Sequence, residues 1–433
     1  MIFTRFLRFF TFAMIPLSIL GPSLLMYDIG PIHILPHWLL ITISVPLFVI
    51  LLLEENLKLK LGLNIKRELR VKLYIYLLVF WLLYSMASVL WTDEKLLGVK
   101  EFILFFINIG LVLLIVFNLA EIKDLKLVLW FFCGILIINY FVAYLELFRN
   151  YHLPSSNLAL YGGRLSALGV GTIRDIEMTA ILRLKDFISG TFYNPNALGT
   201  FVGLTLPLIF SIFVRGSTKN YEKVLGLSLC VLGVILSIYL RSRTLYGVLL
   251  LVMIIYFCFY LKFREKVLLG CLIGFVIWEL TRIGFPFSIL TLSANDSSLI
   301  TRVELFSMGK ERFFYSFLLM GTGIGSFYDA NLHNWYAEIL FKFGFFIFIG
   351  YILFYLGILW NLYIISKKAT NRALRFIGEG LFVSLSGYSI GCLSDSSRLL
   401  AFDSWIIFGL SLVTINIYRR KSESSRNYPL VSQ

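Results

Sequence analysis

Residues 224–261 read VLGLSLCVLGVILSIYLRSRTLYGVLLLVMIIYFCFYL. Two apolar runs, 224–240 and 244–261, are joined by the three-residue turn Arg241-Ser242-Arg243. A helix crosses the hydrocarbon core of a bilayer in about 20 residues at ~1.5 Å each. Each run is therefore about one span long, and the turn is the whole connection between them. Similar runs recur on both sides, at 9–27, 38–53, 73–91, 102–120, 127–147, 195–214, 267–281, 335–363, 377–393 and 404–418. The chain is 59% hydrophobic and 15% charged, where a soluble domain carries ~25% charged residues. These features predict an all-α membrane protein, residues 1–433 forming one polytopic domain of about twelve transmembrane helices.

The Lys and Arg residues set the orientation. Alternate short loops and both termini, from Arg5 and Arg8 to the tail at 419–433, hold 24 of the 39 basic residues, and the short loops on the other side hold five. Cytoplasmic loops are enriched in Lys and Arg, so both termini are expected in the cytoplasm. The formal charge of +14 follows from that bias and gives no reason to invoke nucleic acid. Arg5 and Arg8 precede an apolar stretch that is long for a signal peptide and ends without a small-x-small site, which reads as an uncleaved first span. The five cysteines lie in or beside apolar runs without metal-ligand spacing and read as small buried hydrophobes.

Two long loops, 148–194 and 282–334, fall on the extracytoplasmic side and carry cations of their own. From Thr301 to Phe317, the apolar residues Val303, Phe306, Phe313 and Phe317 recur at helical spacing with Arg302 among the charges, as in a helix lying along the membrane surface. Gly321-Thr322-Gly323-Ile324-Gly325 follows, readable as a backbone nest for an anion or as a flexible turn. His333-Asn334 then opens the tenth span. Asn334, Glu338 and Lys342 share one face at i, i+4 and i+8. A histidine here serves as an interfacial anchor or as a base, since imidazole titrates near pH 6.5. Arg241 and Arg243 either snorkel to lipid headgroups or clamp an anion, as guanidinium pairs phosphate bidentately. Gly190-Thr191-Phe192-Tyr193-Asn194-Pro195-Asn196 leads into the sixth span, with Arg183 and Lys185 just before it. Ion-coupled transporters usually place charged or broken-helix sites at the midplane, and the span centres are nearly free of ionisable groups.

Residues 190–196, Arg241-Ser242-Arg243, Thr301-Arg302, the run 321–327, His333-Asn334 and Glu338 occur in an order that resembles the O-antigen ligase and polysaccharide polymerase superfamily. The resemblance covers roughly residues 185–365, and the remainder by topology alone. It implies a GT-C-type, metal-independent inverting glycosyltransferase without a cofactor, in the bacterial inner membrane. The donor would be an oligosaccharide on undecaprenyl diphosphate and the acceptor a glycan hydroxyl, with other envelope polysaccharide-synthesis proteins as partners. His333 would be the general base. Arg243 would hold the diphosphate with help from Arg241, while Arg183 or Lys185 and then Arg302 would add phosphate contacts. Asn334, Glu338, Gly323 and Gly325 would support the site. His333-Asn334-Trp335 with Phe343-Gly344 is most similar to versions from Gram-positive bacteria linked to teichuronic acid or capsule synthesis, which favours a polymerase over a ligase acting on lipid A core. A lipid-linked oligosaccharide flippase would need a cationic cavity through the membrane and repeated halves, and neither is legible. A non-enzymatic scaffold would leave the Arg241/Arg243 turn unexplained.

Overall fold

In hydrocarbon an apolar run satisfies its own backbone only as a helix, where each N–H finds a carbonyl in the same segment. The computed structural model describes residues 2–20, 27–29, 32–34, 41–42, 70–149, 151, 153, 188–192, 195–240, 242–262, 266–267, 270, 274, 307, 319–326, 334–393 and 401–427. Its helices in chain order are α1 (Ile2–Ile19), α2 (Lys72–Ser88), α3 (Lys95–Asn118), α4 (Ile122–Arg149) and α5 (Pro195–Ile209), which continues as a π-helical segment, Phe210–Gly216. Then come α6 (Asn220–Leu240), α7 (Arg243–Ile255) with a π-helical end at Tyr256–Tyr260, α8 (Trp335–Lys368), α9 (Arg372–Gly391) and α10 (Phe402–Asn427). The described residues also include an antiparallel hairpin, β1 (Tyr27–Ile29) with β2 (Ile32–Ile34), in which Asp28 is paired in register with His33.

Among the described residues five helices are long and apolar enough to cross a membrane: α3, α4, α5 with its π extension, α6 and α8. Leu7–Ile19, α2 and Thr244–Tyr260 are shorter apolar helices. This is a multi-pass helical membrane protein. Nearly all of the expected spans 38–53 and 267–281 and of the expected surface helix 301–317, and most of the loops 148–194 and 282–334, lie outside the described residues. The first span differs from its expected range of 9–27, since α1 runs from Ile2 to Ile19 and Tyr27 belongs to β1. The cause is Gly21-Pro22: glycine is a poor helix former, and the residue before a proline is pushed away from helical dihedrals. Among the cysteines Cys133 and Cys392 are buried, but Cys258 is exposed, because it sits on the outer face of the π-helical end of α7.

α9 is the centre of the described bundle and packs on α8, α5 and α7. Its small residues allow close approach, with Gly380 against the backbone of Leu208 and Gly387 against Val248 and Val252. The helices alternate in direction, so polar contacts gather at two levels. At the Lys/Arg-rich level Arg215 pairs with Glu379, which also accepts from Ser211 at 3.0 Å, and Arg419 donates to the Arg70 carbonyl at 2.8 Å. At the opposite level lie the C-terminus of α9 and the N-termini of α5, α7 and α8.

α8 is two helices in series. Gly344 has φ 77° and ψ −179°, a conformation open essentially to glycine alone. The break separates a short helix, 335–343, from the long helix that follows. A break in a membrane helix must re-satisfy the backbone groups it frees. Here Thr322 N–H donates to the Phe341 carbonyl and Gly323 N–H to the Lys342 carbonyl, both at 2.9 Å. A methyl on Gly344 would overlap the Leu319 carbonyl and approach Gly321 N within 2.7 Å. Gly350, six residues on, has open space around it. We expect Gly344→Ala to destabilise the protein by at least about 2 kcal/mol, from forbidden dihedrals plus overlap. Gly350→Ala should change stability by less than about 0.5 kcal/mol. Thermal unfolding in detergent would measure both, and equal midpoints would remove the stapled break from the fold.

Candidate active site

The level opposite the Lys/Arg-rich turns collects the motif residues singled out above. On α4, Glu146 accepts from Ser189 N–H at 2.7 Å, Gly190 N–H at 2.8 Å and the Ser189 hydroxyl at 3.2 Å. Asn139, about two turns earlier on α4, accepts from Thr191 N–H at 3.1 Å and its hydroxyl at 2.8 Å. These buried bonds, two of them charge-assisted backbone bonds, hold the segment that leads into α5.

Three helix N-termini meet beside the end of α9. Asn196, in the first turn of α5, accepts from the hydroxyl of Ser242 at 3.2 Å. Ser242 is the N-cap of α7 and accepts weakly from Leu245 N–H at 3.4 Å. A methyl on Gly391, at the end of α9, would touch both Val248 of α7 and Thr200 of α5. Trp335 N–H, opening α8, donates to the Cys392 carbonyl at 2.8 Å, and the Tyr336 hydroxyl reaches the Ser389 carbonyl at 3.3 Å. Each helix N-terminus carries roughly half a positive charge and each C-terminus the opposite, so three N-termini against the single C-terminus of α9 leave the junction net positive from the backbone alone.

The glycine turn lies next to the same level. Gly323 and Gly325 have φ of 93° and 90°. Ile324 N–H donates to the Ser88 hydroxyl at 3.1 Å, and Gly325 N–H to Glu101 Oε2 at 3.0 Å. A methyl on Gly325 would overlap the backbone of Gly98, so the turn lies directly on the first turns of α3. The backbone N–H of Gly325 thus does bind an anion, and that anion is the carboxylate of Glu101 on α3. Lys342 Nζ completes the arrangement, 3.0 and 2.9 Å from the two oxygens of Glu101 and 2.9 Å from Glu338 Oε1. The polar stripe expected from Asn334, Glu338 and Lys342 is therefore turned into the protein. Asn334 caps the short helix, its side chain accepting from Ala337 N–H at 3.1 Å.

Of the expected site residues, Asn334, Glu338, Gly323 and Gly325 are thus gathered at one level. Arg243 is the first residue of α7, one residue after a cap that contacts α5. His333, Arg241, Arg183, Lys185 and Arg302 lie outside the described residues. Sequence reasoning missed Glu101 and Ser88 altogether. Ser88 carries no local signal, whereas Glu101 stood just before an apolar run, where a charge reads as a solvated helix end.

The fold and this junction define a multi-pass helical membrane protein whose glycine turn and helix N-termini meet at one end of the bundle. The chain is 25% identical over 384 residues to the teichuronic acid biosynthesis protein TuaE of Bacillus subtilis (strain 168), a stretch covering 82% of this chain and 74% of that protein. No family model matches the chain. The relative agrees with the motif resemblance, and the chain is similar to envelope polysaccharide polymerase-type proteins.

Proposed function

We propose that this protein polymerises cell-surface polysaccharide, transferring oligosaccharide units from undecaprenyl diphosphate to an acceptor sugar hydroxyl on the extracytoplasmic face of the bacterial cell membrane, with both termini in the cytoplasm. The observation that carries the reading is the meeting of three helix N-termini, those of α5, α7 and α8, beside the last turn of α9. A diphosphate is the kind of group such a junction attracts, and the similarity to a teichuronic acid biosynthesis protein agrees with a glycan as cargo.

The chemistry needs little else. The acceptor oxygen attacks the anomeric carbon, its proton passes to the imidazole of His333, and the carbon–phosphate oxygen bond breaks with its electron pair leaving on the diphosphate. The leaving group departs as an anion and asks for charge stabilisation, so the paired carboxylates of a glycosidase are unnecessary. Arg243 and Arg241 at the head of α7 hold the diphosphate, and Arg183, Lys185 and Arg302 approach it from the two long loops. Fixed cations aimed at developing charge in a partly dry site lower a barrier by several kcal/mol. Inversion at the anomeric carbon follows from a single displacement.

The test is elongation by the purified protein in liposomes supplied only with a lipid-diphosphate-linked repeat unit. A ladder of lengthened products is the expected result. Product that appears only when a different acceptor is supplied would replace polymerase by ligase. Movement of the intact donor between leaflets without any new glycosidic bond would replace transferase by flippase.

A further inference from the structure

The transfer step makes no use of the buried ion cluster beside the glycine turn. Lys342, Glu101 and Glu338 are only 3%, 4% and 7% exposed. Two carboxylates against one ammonium are an expensive way to hold a helix, because desolvation offsets much of the attraction and an apolar core does the same more cheaply. What an apolar core does not supply is direction. Lys342 ties the distant helix α3 to the glycine turn and to the first turn of its own helix. It reaches α3 through Glu101, the glycine turn through the Gly325 bond to that same carboxylate, and the first turn of the short helix through Glu338. The carbonyls of Phe341 and Lys342 are pinned to the same turn from the backbone side. The short helix is thus anchored at its C-terminal end by Lys342 and at its N-terminal end by the Trp335 bond to Cys392. Residue 333 lies two residues beyond that second anchor, separated from it by the cap Asn334.

We propose that Lys342 is a positioning residue for the transfer reaction. Its ion cluster fixes the placement of the short helix 335–343 and thereby the point from which His333 meets the acceptor hydroxyl. This inference rests on the reading of His333 given above. A displacement of about 1 Å in a reacting group costs on the order of 10²-fold in rate, so a helix held from both ends has a kinetic consequence that a merely stable one lacks.

The test compares wild type with Lys342→Met, and with a neutral triple variant, Lys342→Met/Glu101→Gln/Glu338→Gln, in which no unpaired charge is left buried. Hydrogen exchange in nanodiscs reads the clamp without any reference to activity. Exchange of the amides of 335–343 is expected to rise about tenfold or more in both variants, with 345–368 unchanged. In the liposome assay kcat is expected to fall about tenfold or more, while KM for the lipid-diphosphate donor stays within about twofold. A triple variant that exchanges and turns over like wild type overturns the proposal, as does faster exchange without loss of kcat. A wild-type protein that forms no glycosidic bond at all would instead remove the transferase reading, while the exchange data would still decide whether the ion cluster holds the short helix.

Discussion

Replacing His333 by alanine is expected to slow glycan elongation by about 10²- to 10⁴-fold, the usual worth of a positioned general base. The acceptor hydroxyl is a poor nucleophile until its proton has somewhere to go, and imidazole is the side chain that is neutral and basic near pH 7. Expression level and melting temperature should stay at wild-type values, because the cap of the short helix is Asn334 and its anchor is Trp335, neither of which is altered. The pH profile adds a second readout. A base works only when unprotonated, so wild-type rates should fall as pH drops through about 6.5, and the residual rate of the variant should lack that limb. Elongation assays with matched protein levels would check both. A variant retaining more than about a tenth of the wild-type rate would take the base assignment away from His333.

Arg243→Ala is expected to lower kcat by about 10²- to 10³-fold, the loss seen when one preorganised donor to a developing oxyanion is removed. Arg243 opens α7 directly after its Ser242 cap. A cation at a helix N-terminus is opposed by the helix dipole, at roughly 0.3–1 kcal/mol. An anion placed there removes the conflict, because the guanidinium and the positive end of the helix dipole then attract the same ligand. The substitution should therefore leave the donor-free protein as stable as wild type or slightly more so while impairing turnover, an opposition of signs that a residue kept for packing would not produce. Arg243→Lys should restore only part of the rate, since an ammonium lacks the planar fork that pairs two phosphate oxygens. Melting curves without donor and initial rates with it would test the pair. A destabilised Arg243→Ala with normal turnover would make the residue structural.

Much of the architecture is legible in the sequence because hydropathy is a local property. The runs at 127–147, 195–214, 224–240 and 244–261 lie within or along α4, α5, α6 and α7 with ends close to those expected. The face shared by Asn334, Glu338 and Lys342 is legible for the same reason, since i, i+4 spacing needs only one helix. What escapes is whatever depends on a distant partner. α3 begins at Lys95 instead of 102, and Glu101, just before the apolar run, is buried in it against a lysine 241 residues further on. The break at Gly344 is hidden inside a run that scores as continuously apolar, and only the 319–326 turn that fills it makes it visible. The site divides the same way. The glycines at 321, 323 and 325 mark a turn from composition alone, while the partners of its N–H groups, Lys342, Ser88 and Glu101, are tertiary facts.

The distance in sequence between Glu101 and Lys342 also bears on how the chain is made. At about 5–20 residues per second, the lysine is synthesised tens of seconds after the carboxylate that awaits it, and α4, α5, α6 and α7 emerge in between. Glu101 therefore enters the bilayer as an unmatched charge, and the early helices are inserted before they can be finished. Completion comes only when the short helix docks and supplies the missing cation. In this protein a late arrival closes a joint that one of the first pieces left open.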